Sequence, residues 1–94
     1  LMWEHAKRFR AMLVFAEHRF YGASVPGASN PPPPPSTPSR HPYLSHELAL
    51  ADMAGLIRSI RAEHGVAGAD AAVIAFGGSY GGKLTAWMRM KYPT

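Results

Sequence analysis

One serine of this sequence stands between glycines in a setting that suits nucleophilic chemistry. It lies in the run Gly77-Gly78-Ser79-Tyr80-Gly81-Gly82, which follows an apolar stretch and precedes a helix-like segment. A Gly-x-Ser-x-Gly pattern between a strand and a helix is typical of a nucleophile elbow, a strained turn that projects the serine hydroxyl. We therefore interpret Ser79 as a candidate nucleophile. The backbone N–H of Tyr80, at the start of the helix, would then face the developing oxyanion.

The acidic and basic partners of such a serine are expected elsewhere. A serine hydroxyl is a poor nucleophile until a base takes its proton, and in this kind of site the Asp or Glu and the His follow the serine in chain order. Fifteen residues follow Ser79, and none of them is Asp, Glu or His. We expect this chain to be a piece of a hydrolase that is inactive on its own.

Two other interpretations of the glycine-rich run stay open. Gly77 to Lys83 also reads G-x-x-x-x-G-K, most of a phosphate-binding P-loop, which would make the chain a nucleotide binder. That motif needs Ser or Thr directly after the lysine to hold magnesium, whereas Leu84 stands there and Thr85 comes one place late. The remaining possibility is a glycine-rich turn without chemistry. The elbow fits the residues best.

A second polar cluster, Glu17-His18-Arg19, follows the first apolar run and opens a loop that reaches Ser24. A catalytic or metal-binding role is one interpretation. The simpler one is that these residues tie down the loop after a buried strand.

Composition excludes several classes of function. The 94 residues suit one small domain at most, and 47% of them are hydrophobic. The net charge of +4 comes from scattered basic residues, which predicts no nucleic-acid binding, and no apolar stretch approaches the ~20 residues of a membrane helix. The chain has no cysteine, and its other histidines are not at metal-ligand spacing. We predict no metal and no cofactor; the remaining histidines are His5, His41, His46 and His64.

Apolar periodicity predicts three helices, over residues 2–10, over about 46–63, and from the elbow to about Tyr92. Ser45 suits the N-cap of the second helix and Gly65 suits its end. The apolar stripe of this second helix is expected to be Ala49, Met53, Leu56, Ile57 and Ile60.

Continuous apolar runs over 11–16 and 71–76 predict strands buried on both faces, as in a parallel sheet. Strands that alternate with helices imply parallel pairing through right-handed crossovers. The predicted fold class is therefore α/β. Residues 1–94 would form part of a domain with two parallel strands, whose open edges call for further strands.

The segment 25–42 is rich in proline and low in complexity, which predicts an exposed loop within the domain. Proline-rich segments can also bind aromatic grooves of partner proteins. The alternative function is therefore a truncated, non-catalytic protein that binds a partner through this loop.

Several blocks of the sequence resemble one family of serine peptidases, that of lysosomal Pro-X carboxypeptidase, dipeptidyl peptidase II and thymus-specific serine protease. The combination of E-H-R-F-Y-G with G-G-S-Y-G-G is specific, and the resemblance covers nearly the whole chain except the proline-rich loop. The blocks are M-W over 2–3, L-V-F-A-E-H-R-F-Y-G-A-S over 13–24, Y-L-S over 43–45, L-A-L-A-D over 48–52, I-A-F-G-G-S-Y-G-G over 74–82 and A-W-M-R-M-K-Y-P over 86–93.

The resemblance implies an α/β-hydrolase fold with a helical cap domain and cofactor-free cleavage next to proline, by carboxypeptidase or dipeptidyl-peptidase action. It implies a peptide substrate with proline near the cleaved end, a lysosomal, vacuolar or secreted full-length protein, and a possible homodimer of that protein. Ser79 would be acylated, and the Tyr80 N–H would supply part of the oxyanion hole.

The same resemblance implies a loop that shapes the site. Its residues are similar to the R-G-x-G-x-S loop of proline iminopeptidases, and they are Glu17, His18, Arg19, Gly22 and Ser24. Three positions depart from the usual pattern of the family. Ala23 stands where Glu is usual, Phe20 where Tyr is usual, and Lys83 where Met or Leu is commoner.

Overall fold

The computed structural model describes residues 2–25, 43–65 and 72–93, and helices are the regular secondary structure of these ranges. No helix in these ranges is long and apolar enough to cross a membrane. All three predicted helices are confirmed, with bounds within about one residue of those expected. They are α1 over Met2–Phe9, α2 over His46–Glu63 and α3 over Tyr80–Lys91.

Helix α2 begins and ends at the residues that the sequence indicated. Ser45 has an extended backbone, and its hydroxyl accepts a hydrogen bond from the Leu48 N–H at 3.2 Å. At the other end, the N–H of His64 donates to the Ile60 carbonyl at 3.0 Å. Gly65 follows with φ at +65°, a left-handed conformation that glycine adopts without a steric penalty. Both capping predictions are confirmed.

The buried core lies where α2 packs against α3. Leu84 is the buried residue of α3, and it is 6% exposed. Of the apolar stripe predicted for α2, Ala49 is buried as expected, whereas Leu56 is 38% exposed. Because the buried face is set by where α3 lies, it is concentrated in the N-terminal half of α2 and consists of Ala49, Leu50 and Ala54.

Helix α1 is closed by the chain folding back on it. Arg10 has φ at +49°, and the N–H of Ala11 donates to the Ala6 carbonyl at 2.8 Å. The ring of Phe15 then stacks on Trp3, with ring centroids 5.4 Å apart and an interplanar angle of 24°. The apolar run after α1 is thus held beside the helix by an aromatic contact.

The prediction of two parallel strands, and with it the α/β class, is wrong for the part of the chain that the structure describes. Residues 11–16 and 72–76 form neither strand nor sheet there, and residue 71 lies outside the described ranges. A strand requires a neighbouring backbone for its hydrogen bonds and a layer that covers its side chains. These runs have no such cover: Ile74 is 73% exposed and Phe76 is 55% exposed.

The proline-rich loop predicted over 25–42 lies outside the described residues, apart from Val25. Val25 ends the first described range, and Tyr43 opens the second.

The N-cap of α2 gives a stability prediction. Ser45→Ala removes the acceptor for the Leu48 N–H and is expected to lower the free energy of unfolding by about 1 kcal/mol. The matched control is Ser59→Ala, at an exposed position inside α2, where alanine favours helix and no loss is expected. Urea unfolding followed by circular dichroism measures both variants. Equal effects of the two substitutions would contradict the capping role.

Candidate active site

Ser79 has a strained backbone, with φ at 51° and ψ at −121°. Positive φ is uncommon for a residue with a side chain, and it persists only where the surrounding structure enforces it. Ser79 is also the N-cap residue of α3, yet its side chain makes no capping hydrogen bond. Serine is favoured at N-caps because its hydroxyl usually bonds the helix end. Here the hydroxyl is exposed and is not used to cap the helix.

The turn into α3 is closed by backbone hydrogen bonds around Ser79. The N–H of Gly82 is shared between the carbonyls of Gly78 and Ser79, at 3.2 and 3.1 Å, and the N–H of Lys83 donates to the Ser79 carbonyl at 3.3 Å. Tyr80 is the first residue of α3, so its N–H has no partner within the helix. The first turn of a helix carries a partial positive charge and suits an anion.

Close packing requires glycine at one of the four elbow positions and leaves little room at a second. A Cβ on Gly77 would collide with the backbone carbonyl of Gly81 and would lie 2.7 Å from the Thr85 hydroxyl oxygen. A Cβ on Gly82 would lie 3.3 Å from the Gly77 oxygen. Gly78 and Gly81 would place a Cβ in open space. The tight approach is therefore between the residues that precede the serine and the first turn of α3.

The hydroxyl of Thr85, the residue one place late for a P-loop, donates to the Gly81 carbonyl at 2.9 Å. Its hydrogen is thus used within α3. This is the usual hydrogen bond of a threonine to the preceding helical turn, and it needs no bound phosphate.

The 17–24 loop is closed by its own hydrogen bonds. The Ser24 hydroxyl donates to the Glu17 carboxylate at 2.6 Å, and the Phe20 N–H donates to the Ser24 carbonyl at 2.8 Å. The Ser24 hydroxyl, with backbone N–H groups of the loop, lowers the pKa of Glu17. Gly22 has φ at +55°, and a Cβ there would collide with the Glu17 carboxylate. Glu17 therefore lies folded against its own loop.

Arg19 fastens this loop to α2. Its Nε and Nη2 donate to the two carboxylate oxygens of Asp52, each at 2.7 Å, and its Nη1 donates to the Tyr43 carbonyl at 2.9 Å. This bidentate pairing is the strongest geometry available to an arginine and a carboxylate. It raises the pKa of Arg19 and lowers the pKa of Asp52.

His18 brings the 17–24 loop to the elbow. Its Nε2 lies 3.2 Å from the Tyr80 hydroxyl, although the two residues are 62 positions apart. Its Nδ1 lies 2.8 Å from the Arg19 carbonyl oxygen. The imidazole also packs edge-on against the ring of Tyr21, with ring centroids 5.2 Å apart. The two polar motifs of the sequence are therefore neighbours in space.

Asp52 and Tyr43 belong to the resemblance blocks, but no role in the site was predicted for them. Asp52 could have been suspected, since it is one of three carboxylates on α2, with Glu47 and Glu63. The Tyr43 contact uses a backbone carbonyl, which no residue pattern reveals. Within the described ranges, no three His, Cys, Asp or Glu side chains come together as a metal site.

A strained serine at the turn into a helix is one feature of a nucleophile elbow; the strand that precedes such a turn is not formed by the described residues. The whole sequence, residues 1–94, matches the family Serine carboxypeptidase S28, and the chain belongs to that family. The suspected resemblance is thereby confirmed, and serine peptidase activity is the activity of the family.

Relatives show the same family. The chain is 51% identical to human "Lysosomal Pro-X carboxypeptidase" over 94 residues and 53% identical to the protein of that name from Bos taurus over 95 residues. Each match covers 98% of this chain and 18% of the relative. Human "Thymus-specific serine protease" is 34% identical over 88 residues, which are 94% of this chain and 16% of that protein. The chain thus spans about a fifth of these relatives, and no solved structure matches it significantly.

The elbow glycines give a prediction with an internal control. Gly77→Ala forces a Cβ into the Gly81 backbone and is expected to lower the free energy of unfolding by about 1–3 kcal/mol. Gly78→Ala enters open space at a position without positive φ, so a change within about 0.5 kcal/mol is expected. Chemical unfolding of both variants measures the difference. A Gly78 variant as unstable as the Gly77 variant would contradict this packing.

The Arg19–Asp52 pair gives a pH prediction. Because the pKa of folded Asp52 is lowered, the pair stabilises the fold fully above pH about 4, where the unfolded carboxyl is also ionised. That stabilisation is lost as the pH falls through the lowered pKa. Asp52→Asn should therefore flatten the acid side of a plot of unfolding free energy against pH. Arg19→Lys keeps the positive charge but cannot form the bidentate hydrogen bonds, so the free energy of unfolding should change with pH by an intermediate amount. An acid-side slope in Asp52→Asn equal to that of the unchanged chain would refute the contribution of the pair.

Proposed function

We propose that this chain carries the nucleophile segment of a serine carboxypeptidase, with Ser79 as the residue that is acylated. The observation that supports this most is the strained backbone of Ser79 together with a hydroxyl that does not cap α3. Such strain is common where a side chain must be held for chemistry rather than for stability. Membership of the S28 family supplies the reaction class.

The proposed reaction is acyl transfer. The Ser79 oxygen attacks the carbonyl carbon of the scissile peptide bond while its proton passes to a histidine base. The Tyr80 N–H, unpaired within α3, stabilises the negative oxygen that develops. The C–N bond then breaks as the histidine returns the proton to the leaving amine, and water releases the acyl group from Ser79 in a second cycle.

The proposed substrate is a peptide with proline next to the bond that is cleaved. This rests on the relatives, four of which bear the name "Lysosomal Pro-X carboxypeptidase". The same name supports the proposal of a lysosomal, vacuolar or secreted compartment for the complete protein. Cofactor-free action and a homodimer of the complete protein are proposed from the family resemblance alone. The 17–24 loop shapes the site from the side of Tyr80, through the contacts of His18.

A segment exchange tests the nucleophile. Residues 1–94 replace the matching segment of human lysosomal Pro-X carboxypeptidase, and the chimera is treated with a fluorophosphonate probe. We expect one covalent adduct, located on Ser79 by peptide mass spectrometry, and its complete loss in Ser79→Ala because no other oxygen is activated.

The control is Ser59→Ala, which alters an exposed serine of α2 and should leave labelling and hydrolysis of a Pro-X peptide unchanged. The same mapping applies to the native product, captured with an antibody against residues 45–64. An adduct that survives Ser79→Ala, or that maps to another residue, would overturn the assignment.

A further inference from the structure

The strain at Ser79 has to be held from both sides of the residue. On the N-terminal side, the close approach of Gly77 to the Gly81 carbonyl fixes the chain. On the C-terminal side lies Tyr80, whose backbone belongs to the first turn of α3 and which is 48% exposed as a residue. Packing alone therefore leaves half of this residue in solvent. The contact between its hydroxyl and His18 Nε2 is what ties it to another part of the chain.

The direction of that hydrogen bond follows from the other ring nitrogen. Nδ1 of His18 faces the Arg19 carbonyl oxygen at 2.8 Å, and a carbonyl oxygen can only accept, so Nδ1 carries the hydrogen. In the neutral imidazole, Nε2 then has a lone pair and accepts the Tyr80 hydroxyl proton. Both nitrogens are engaged in this way. His18 is consequently not placed to serve as the proton acceptor for Ser79.

Arg19, whose carbonyl orients the His18 imidazole, is itself held in place by hydrogen bonds. Its guanidinium donates to the Asp52 carboxylate and to the Tyr43 carbonyl. The imidazole also packs against the ring of Tyr21. A continuous set of contacts therefore runs from α2, through the 17–24 loop, to the residue that follows Ser79.

From this geometry we infer that His18 is a positioning residue for acyl transfer. It holds the Tyr80 hydroxyl and thereby fixes the Tyr80 N–H relative to the Ser79 oxygen. The inference rests on the proposed function, and it assigns the E-H-R motif a specific task beyond shaping a loop. A donor held in place before the reaction acts on the transition state rather than on substrate binding.

The test uses the chimera with four variants: His18→Ala, His18→Gln, Tyr80→Phe and the double variant His18→Ala/Tyr80→Phe. We expect kcat and kcat/KM for a Pro-X peptide to fall together by about tenfold in His18→Ala and in Tyr80→Phe, with KM unchanged. The double variant should be no slower than either single variant, because both remove the same hydrogen bond. His18→Gln keeps an acceptor near the position of Nε2 and should recover most of the rate.

Several results would overturn the inference while leaving Ser79 as the nucleophile. They are multiplicative losses in the double variant, a rise in KM at constant kcat, or a glutamine variant as slow as the alanine variant. An adduct that persists in Ser79→Ala would instead overturn the proposed function.

An independent measurement reads the contact without catalysis. In the ¹⁵N spectrum of the 94-residue chain, His18 should show a protonated Nδ1 and an unprotonated Nε2, and Tyr80→Phe should shift the Nε2 signal. A protonated Nε2 in neutral His18, or no shift on Tyr80→Phe, would refute the hydrogen bond.

Discussion

The candidate site depends on one close backbone approach, that of Gly77 to the carbonyl of Gly81 at the head of α3. The chain has to turn from an irregular segment into a helix within a few residues, and it can do so only if no side chain stands between them. This turn forces positive φ on Ser79. The serine hydroxyl is thereby displaced from the capping position that a relaxed N-cap serine occupies. The lack of a side chain at Gly77 thus determines the orientation of the Ser79 side chain.

The second constraint is the attachment of the 17–24 loop to two other elements. Arg19 bonds to Asp52 on α2, and His18 contacts Tyr80 on α3. The pair α2 and α3 buries few residues, which gives it limited stability of its own. The arrangement of the residues around Ser79 therefore depends on the hydrogen bonds and the ion pair of the loop more than on a hydrophobic core. Their strength changes with pH more than that of a hydrophobic core does.

The sequence predicts well what is decided by neighbours along the chain. Ser45 and Gly65 bound α2 because capping is local, and the glycine-rich run predicts the start of α3 after Ser79 because that turn is built from adjacent residues. The prediction of strands is wrong because a strand forms only where a neighbouring strand accepts and donates its backbone hydrogen bonds. The apolar run that contains Ile74 indicates what such a partner would cover, but the described residues provide none. The Arg19–Asp52 and His18–Tyr80 contacts join residues 33 and 62 positions apart, so one sequence without a structure cannot pair them.

The exposed run that leads to the serine has a consequence for handling the protein. Residues 72–76, A-V-I-A-F, contain neither charge nor proline, and their three large side chains are between 51% and 73% exposed. Short uncharged segments with high β-propensity pair readily with copies of themselves when nothing covers them. The stretch that precedes the candidate nucleophile is therefore also a stretch through which the isolated chain is prone to aggregate. A solubilising charge is best placed outside it, where it leaves the turn at Gly77 untouched.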